Sequence, residues 1–146
     1  MRHAPHAPWV ASCCLLAVVG CGDDDARIKV YPVTGKVLVN GQPAEGANVA
    51  FFGSTPELQG PGALVPTGTS NAEGVFELTS FDPGDGAPVG TFNVTVIWPE
   101  PIPPNVDQEM YQPKDRLNGR YANPDTSNLT ARVEQGGGEL PPFELQ

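Results

Sequence analysis

Residues 91–98 read TFNVTVIW, the clearest alternation in the chain. Phe92, Val94, Val96 and Trp98 fall on one side, and Thr91, Asn93, Thr95 and Ile97 on the other. A period of two sends successive side chains to opposite faces, and β-branched and aromatic residues suit that pleated surface. The stretch is predicted to be a strand whose first set of side chains faces a core.

The same signature recurs toward the N-terminus. In residues 30–39, Tyr31, Val33, Gly35, Val37 and Val39 alternate with Pro32, Thr34, Lys36 and Leu38. Asn40-Gly41 ends that strand, since both residues tolerate φ > 0. Residues 48–52 form a second strand, and residues 65–70 a less regular third. The composition of Asn71-Ala72-Glu73-Gly74 marks a tight turn, which would set residues 75–80 antiparallel to the segment before it. Beyond residue 98, Leu129, Ala131 and Val133 alternate against Thr130, Arg132 and Glu134, and a short strand at residues 143–145 follows Gly136-Gly137-Gly138.

Seven short strands with turn signals between them predict an all-β protein, an antiparallel seven-stranded β-sandwich. Composition agrees. The 146 residues contain 17 Gly and 17 Pro, which punctuate Val/Phe/Leu/Thr segments and have no collagen-like period. The 8 Lys+Arg stand against 17 Asp+Glu, so the surface repels nucleic acid and no nucleic-acid partner is expected.

Residues 99–127 depart from the rhythm. The segment carries five prolines by Pro113, and a structureless loop of that length is unusual in a compact domain. Residues 114–121 have the composition of a helical turn or two. The loop is expected to cover one edge of the sandwich. If it instead contacts a partner, Tyr111, Arg116, Arg120 and Tyr121 are the candidates.

The first twenty residues are laid out as an export signal: Arg2 gives a positive start, and residues 10–19 are apolar apart from Ser12 and are followed by small residues. The apolar stretch is about half of the roughly 20 residues a spanning helix needs. Val18-Val19-Gly20-Cys21 resembles the lipobox of bacterial lipoprotein signal peptides. That resemblance implies cleavage between Gly20 and Cys21, with the Cys21 thiol carrying a diacylglyceryl group. Two or more acyl chains anchor far more firmly than one, at roughly 0.8 kcal/mol per buried methylene. Cys13 and Cys14 would leave with the signal, so no disulfide is expected. The domain plan is a signal at 1–20, a lipidated Cys and tether at 21–29, and a β-sandwich at 30–146.

The strands also carry a motif order: Gly35-Lys36-Val37, Asn40-Gly41-Gln42-Pro43, Gly46-Ala47-Asn48-Val49, then Thr69-Ser70-Asn71-Ala72-Glu73-Gly74-Val75-Phe76-Glu77-Leu78, and Gly90-Thr91-Phe92-Asn93-Val94-Thr95-Val96. This order resembles the carboxypeptidase regulatory-like domain, which implies a transthyretin-like (prealbumin-like) Greek-key sandwich of seven strands. The tail, from Arg120-Tyr121 through Pro124 and Ser127 to residues 129–133, is similar to the ending of small bacterial lipoproteins that carry this domain. The fold by itself implies no activity.

The chemistry points away from catalysis. Both histidines, His3 and His6, lie in the leader, which leaves a mature chain without the imidazole that a Ser-His-Asp triad, a Cys-His dyad or a zinc peptidase site needs. Lys29, Lys36 and Lys114 are the lysines. Related adhesin domains form a Lys–Asn isopeptide bond with a catalytic Glu, but Thr95 stands where that Glu is expected, and Lys36 is read as an outward-facing solvated residue. In "FDPGDGAPVG", Asp82 and Asp85 are the one pair of candidate calcium ligands, though the stretch is better read as a turn leading into the 91–98 strand. Asn93-Val94-Thr95 and Asn128-Leu129-Thr130 match glycosylation sequons, which carry little weight in a bacterial lipoprotein.

The expectation is therefore a non-enzymatic envelope protein, exported and lipid-anchored on a periplasmic or surface face, with no cofactor. Its sandwich would act as a structural or protein-interaction module for an envelope partner. The alternative is a carbohydrate or extracellular-polymer module that uses the 99–127 loop.

Overall fold

The computed structural model describes residues 27–146. That part of the chain is nearly all β, with one short 3-10 turn at Pro56–Leu58. Among the described residues the strands number eleven rather than seven; the longer ones fall on the expected stretches: β2 (Val33–Val39), β4 (Asn48–Gly53), β5 (Thr67–Thr69), β6 (Val75–Glu77), β8 (Gly90–Ile97), β9 (Leu129–Val133) and β11 (Phe143–Leu145). Four two-residue strands join them: β1 (Val30–Tyr31), β3 (Gln42–Pro43), β7 (Ala87–Pro88) and β10 (Gly138–Glu139). The continuous strand expected over residues 30–39 is broken at Pro32, which has no N–H to give to a ladder. On its far side β1 pairs with β7 in a separate ribbon.

One sheet is antiparallel throughout, in the order β5-β4-β8-β9. The second is built around β2. Along one edge of β2 lie β6 and then β3, both antiparallel, and along the other lie β10 and then β11, both parallel. An entirely antiparallel arrangement therefore does not hold. Alternation fixes which face a side chain takes, but not the direction of its neighbour. After β9 the chain turns through Gly136-Gly137-Gly138, leaves the first sheet and runs beside β2 in the same sense.

The turn at residues 71–74 sets residues 75–79 antiparallel to residues 67–71, as expected, and also changes sheets. The Asn71 side-chain oxygen accepts the Glu73 and Val75 N–H groups, and Gly74 N–H bonds back to the Asn71 carbonyl. It carries the chain from one sheet to the other: β5 pairs with β4, and β6 pairs with β2. A single antiparallel bridge, Thr67 with Thr79, ties the two segments together.

The inward faces share one core, giving the molecule a sandwich-like section. Val33, Gly35, Val37 and Val39 are buried on β2, alternating with half-buried Thr34, Lys36 and Leu38. Phe92, Val94 and Val96 do the same on β8, although Thr95 on the opposite face is buried as well. Phe51 of β4 sits at the centre, its ring 6.4 Å from Phe76, 5.7 Å from Phe92 and 6.4 Å from Phe143. Gly35 lies opposite Phe76 in the β2–β6 register, and a side chain there would run into the Phe76 ring.

Ser70 is the buried polar link of this region. Its hydroxyl donates to the Ala44 carbonyl and accepts the Ala47 N–H at 2.8 Å, fastening residues 44–47 to the end of β5. Ser70→Ala leaves a buried carbonyl and a buried N–H without that partner. The expected loss is about 1–3 kcal/mol, measured as a lower urea midpoint at unchanged slope; a loss below about 0.5 kcal/mol would refute the link.

Candidate functional site

The site grows out of the end of β8. Strand β9 pairs with β8 only as far as Val94. From there the 99–127 loop supplies the missing partners: Val96 N–H bonds to the Tyr121 carbonyl at 3.0 Å, Trp98 N–H to the Asp115 carboxylate at 2.9 Å, and Arg116 N–H to the Trp98 carbonyl at 2.8 Å. Glu100 N–H bonds to the Lys114 carbonyl at 2.9 Å. Leu117 and Ser127 are buried against the body of the domain. The loop is thus a covering element that completes an otherwise open strand edge.

The helical turns expected at residues 114–121 are absent. Successive tight turns replace them, with Asn118 and Gly119 at positive φ. Asp115 organises the segment, because its carboxylate also accepts the Leu117 and Gly119 N–H groups.

Where residues 98–102 and 113–116 run side by side, they flank a groove of about 700 Å³. Pro43, Pro101, Pro113 and Ile102 give it apolar walls, with Ile102 44% exposed. Trp98 is half-buried and oriented by its indole N–H, which donates to the Glu45 carbonyl at 2.8 Å. The Arg116 guanidinium lies on the indole, 3.4 Å from the ring centroid. Among the described residues that guanidinium makes no ion pair and donates no hydrogen bond. Glu45 and Glu100 line the same groove.

Glu100 is held below the usual carboxylate range, chiefly by the Tyr111 hydroxyl, which donates to it at 2.7 Å, and next by the Lys114 N–H. The same bond pushes the Tyr111 phenol above its ordinary value, because ionising it would set two anions together. A spectrophotometric titration should find one tyrosine ionising later than the others, and Glu100→Gln should remove the delay.

The four residues expected to contact a partner separate into two pairs. Arg116 lines the groove, and Tyr111 reaches it through Glu100. Arg120 and Tyr121 lie instead against the C-terminal residue: Arg120 donates to the Gln146 carbonyl, and the Tyr121 hydroxyl accepts the Gln146 N–H at 3.3 Å. Tyr111 and Tyr121 are both half-buried, and Tyr121 packs on the core. Trp98, Glu45 and Glu100 are the site residues that sequence reasoning did not single out. The signal for Trp98 was its place as the last alternating residue before a proline-rich segment.

Asp82 and Asp85 form a turn. The Asp85 carboxylate accepts the N–H groups of Ser80 at 2.7 Å, Phe81 at 2.9 Å and Asp82 at 3.0 Å, so its lone pairs are directed inward. Among the described residues no three Asp, Glu, His or Cys side chains group as metal ligands would. Partial loss of hydration pulls the Asp85 pKa up, and the Ser80, Asp82 and Phe81 N–H groups together bring it below the ordinary 3.8. A depressed carboxylate contributes stability that is present above the unfolded value and lost as pH falls through the folded one. Asp85→Asn is therefore expected to flatten the fall in stability below about pH 4; an unchanged acid limb in denaturation titrations would refute this.

Lys36 is half-buried on β2. Gly20, Cys21 and the tether through Ala26 lie outside the described residues. Among those described, no helix is long and apolar enough to cross a membrane. No protein-family model, curated protein or solved structure matches the chain.

Proposed function

We propose that the chain is a non-enzymatic, lipid-anchored envelope protein whose domain, arranged as a transthyretin-like seven-stranded Greek-key sandwich, is a protein-interaction module that contacts its partner through the Trp98–Arg116 groove. The anchor rests on Val18-Val19-Gly20-Cys21 at the end of an apolar leader. The interaction role rests on one observation: a guanidinium fixed on an indole, with its N–H groups uncommitted, at the edge of an apolar groove.

That observation disfavours the carbohydrate reading. Sugar recognition uses an open aromatic face, whereas here the guanidinium covers the indole and both loop tyrosines are half-buried. A non-enzymatic role is supported by the position of both histidines in the leader.

Cys21→Ala is expected to move the protein from the membrane fraction to the soluble fraction with its circular dichroism unchanged. Retention in the membrane would refute the anchor. For the module, a photoreactive residue at Ile102 should give a discrete cross-linked species in intact cells that the same residue at Thr130 does not. Equal patterns from the two positions would remove the groove as the contact site.

A further inference from the structure

Resting on the interaction reading above, we infer that the groove's occupant is an extended peptide segment carrying one carboxylate and one ammonium group, the carboxylate seated on Arg116 and the ammonium on Glu100. The charges in the groove lead to this class of partner. Arg116 supplies one positive group, and Glu45 and Glu100 two negative ones. A purely anionic ligand meets those carboxylates and a chain of formal net charge −9. A purely cationic ligand meets Arg116. Only a ligand bearing both signs satisfies both poles.

The groups are prepared for this. The Arg116 guanidinium carbon lies 3.4 Å from the Trp98 ring centroid and its N–H groups donate no hydrogen bond among the described residues, so they are available to take a carboxylate, which guanidinium groups bind through two parallel N–H···O bonds. The Trp98 indole is itself held by the Glu45 carbonyl and its backbone by the Asp115 carboxylate, so the platform rests on two hydrogen bonds. Tyr111 and the Lys114 N–H engage the same Glu100 oxygen, leaving the other without a bond among the described residues. The walls are proline and Ile102, flat and apolar. A proline wall offers no N–H groups that would pair with a β-strand, which suits an extended or polyproline-like backbone held by its side chains.

The test uses the full chain as the unlipidated Cys21→Ala variant and isothermal titration with three peptides. The parent is acetyl-AKPADA-amide; the second has Asp replaced by Asn and the third has Lys replaced by norleucine. The parent is expected to bind, each neutral replacement to weaken binding about tenfold, and added salt to weaken the parent most. In Arg116→Ala, the parent and the Asn peptide should bind equally, while the norleucine peptide stays weaker than both. In Glu100→Gln the pattern should reverse. A role for Arg116 in folding alone would lower affinity for all three peptides without removing the difference between Asp and Asn.

Absence of binding by the parent, or equal binding of all three peptides to the unsubstituted groove, would overturn the inference. So would tighter binding of a uronate oligosaccharide or of an oligolysine. A cross-link from Ile102 in cells alongside any of these results would leave the interaction role standing and remove only this ligand class.

Discussion

Phe51→Ala is expected to cost about 3–5 kcal/mol, the range for deleting a fully buried aromatic ring. Phe51 is completely enclosed, and its ring meets three others drawn from both sheets: Phe92 beside it, and Phe76 and Phe143 opposite. Alanine removes the apolar contact and leaves a void whose walls belong to separate strands, each held by its own ladder, so collapse into it is limited. Domains of this size are typically stable by roughly 5–15 kcal/mol, so one substitution would remove a large share of the total. The urea midpoint should fall with an unchanged slope. Phe52, the next residue, points the other way and is half-buried; Phe52→Ala should cost about 1 kcal/mol or less. Equal losses at the two positions would refute the assignment of the inner face.

The second large effect is expected at Gly86. Its φ is +96°, its N–H bonds to the Leu78 carbonyl, and its carbonyl accepts the Ser80 hydroxyl. A methyl group at this position would fall on the Tyr31 carbonyl oxygen and within 2.8 Å of the Pro32 Cα. Those obstacles are backbone, so they cannot rotate aside. Gly86→Ala therefore combines a disfavoured backbone conformation with an overlap, for a loss of about 2–5 kcal/mol. It should also separate β1 from β7, seen as faster amide exchange at Tyr31 and Ala87. Gly41 is the comparison: φ is +78°, but the space around a methyl is open, so Gly41→Ala should cost about 1 kcal/mol. A Gly86→Ala variant no less stable than Gly41→Ala would show that the overlap relaxes away.

The sequence made faces legible and left partners hidden. Alternation alone placed Val33, Val37 and Val39 inward on β2, and Phe92, Val94 and Val96 inward on β8. Asn40-Gly41 was legible as a turn because its chemistry is local, and both residues do take positive φ. Which strand lies beside β2 was not legible. Val37 meets Phe143 across a parallel ladder, a choice made by the path of the chain between sheets, for which no local pattern exists. The site was half legible for the same reason. The proline-rich loop and Arg116 were visible as candidates, but the groove exists only because Arg116 folds back over Trp98 while Trp98 reaches Glu45. Arg120 and Tyr121 had the same residue chemistry and were turned by the chain toward Gln146.

The parallel placement of β11 on β2 also sets an order of events. The strand that completes one edge of β2 is separated from it by residues 40–142, so this pairing closes the longest loop in the domain. Contacts of that span slow folding, because the entropy of closure is lost before the ladder compensates. During synthesis β2 emerges early, yet its buried face waits for Phe143 and Leu145. A chain built this way remains incompletely folded until β11 joins β2, so removing residues 143–145 should impair the first strand of the core as much as the last.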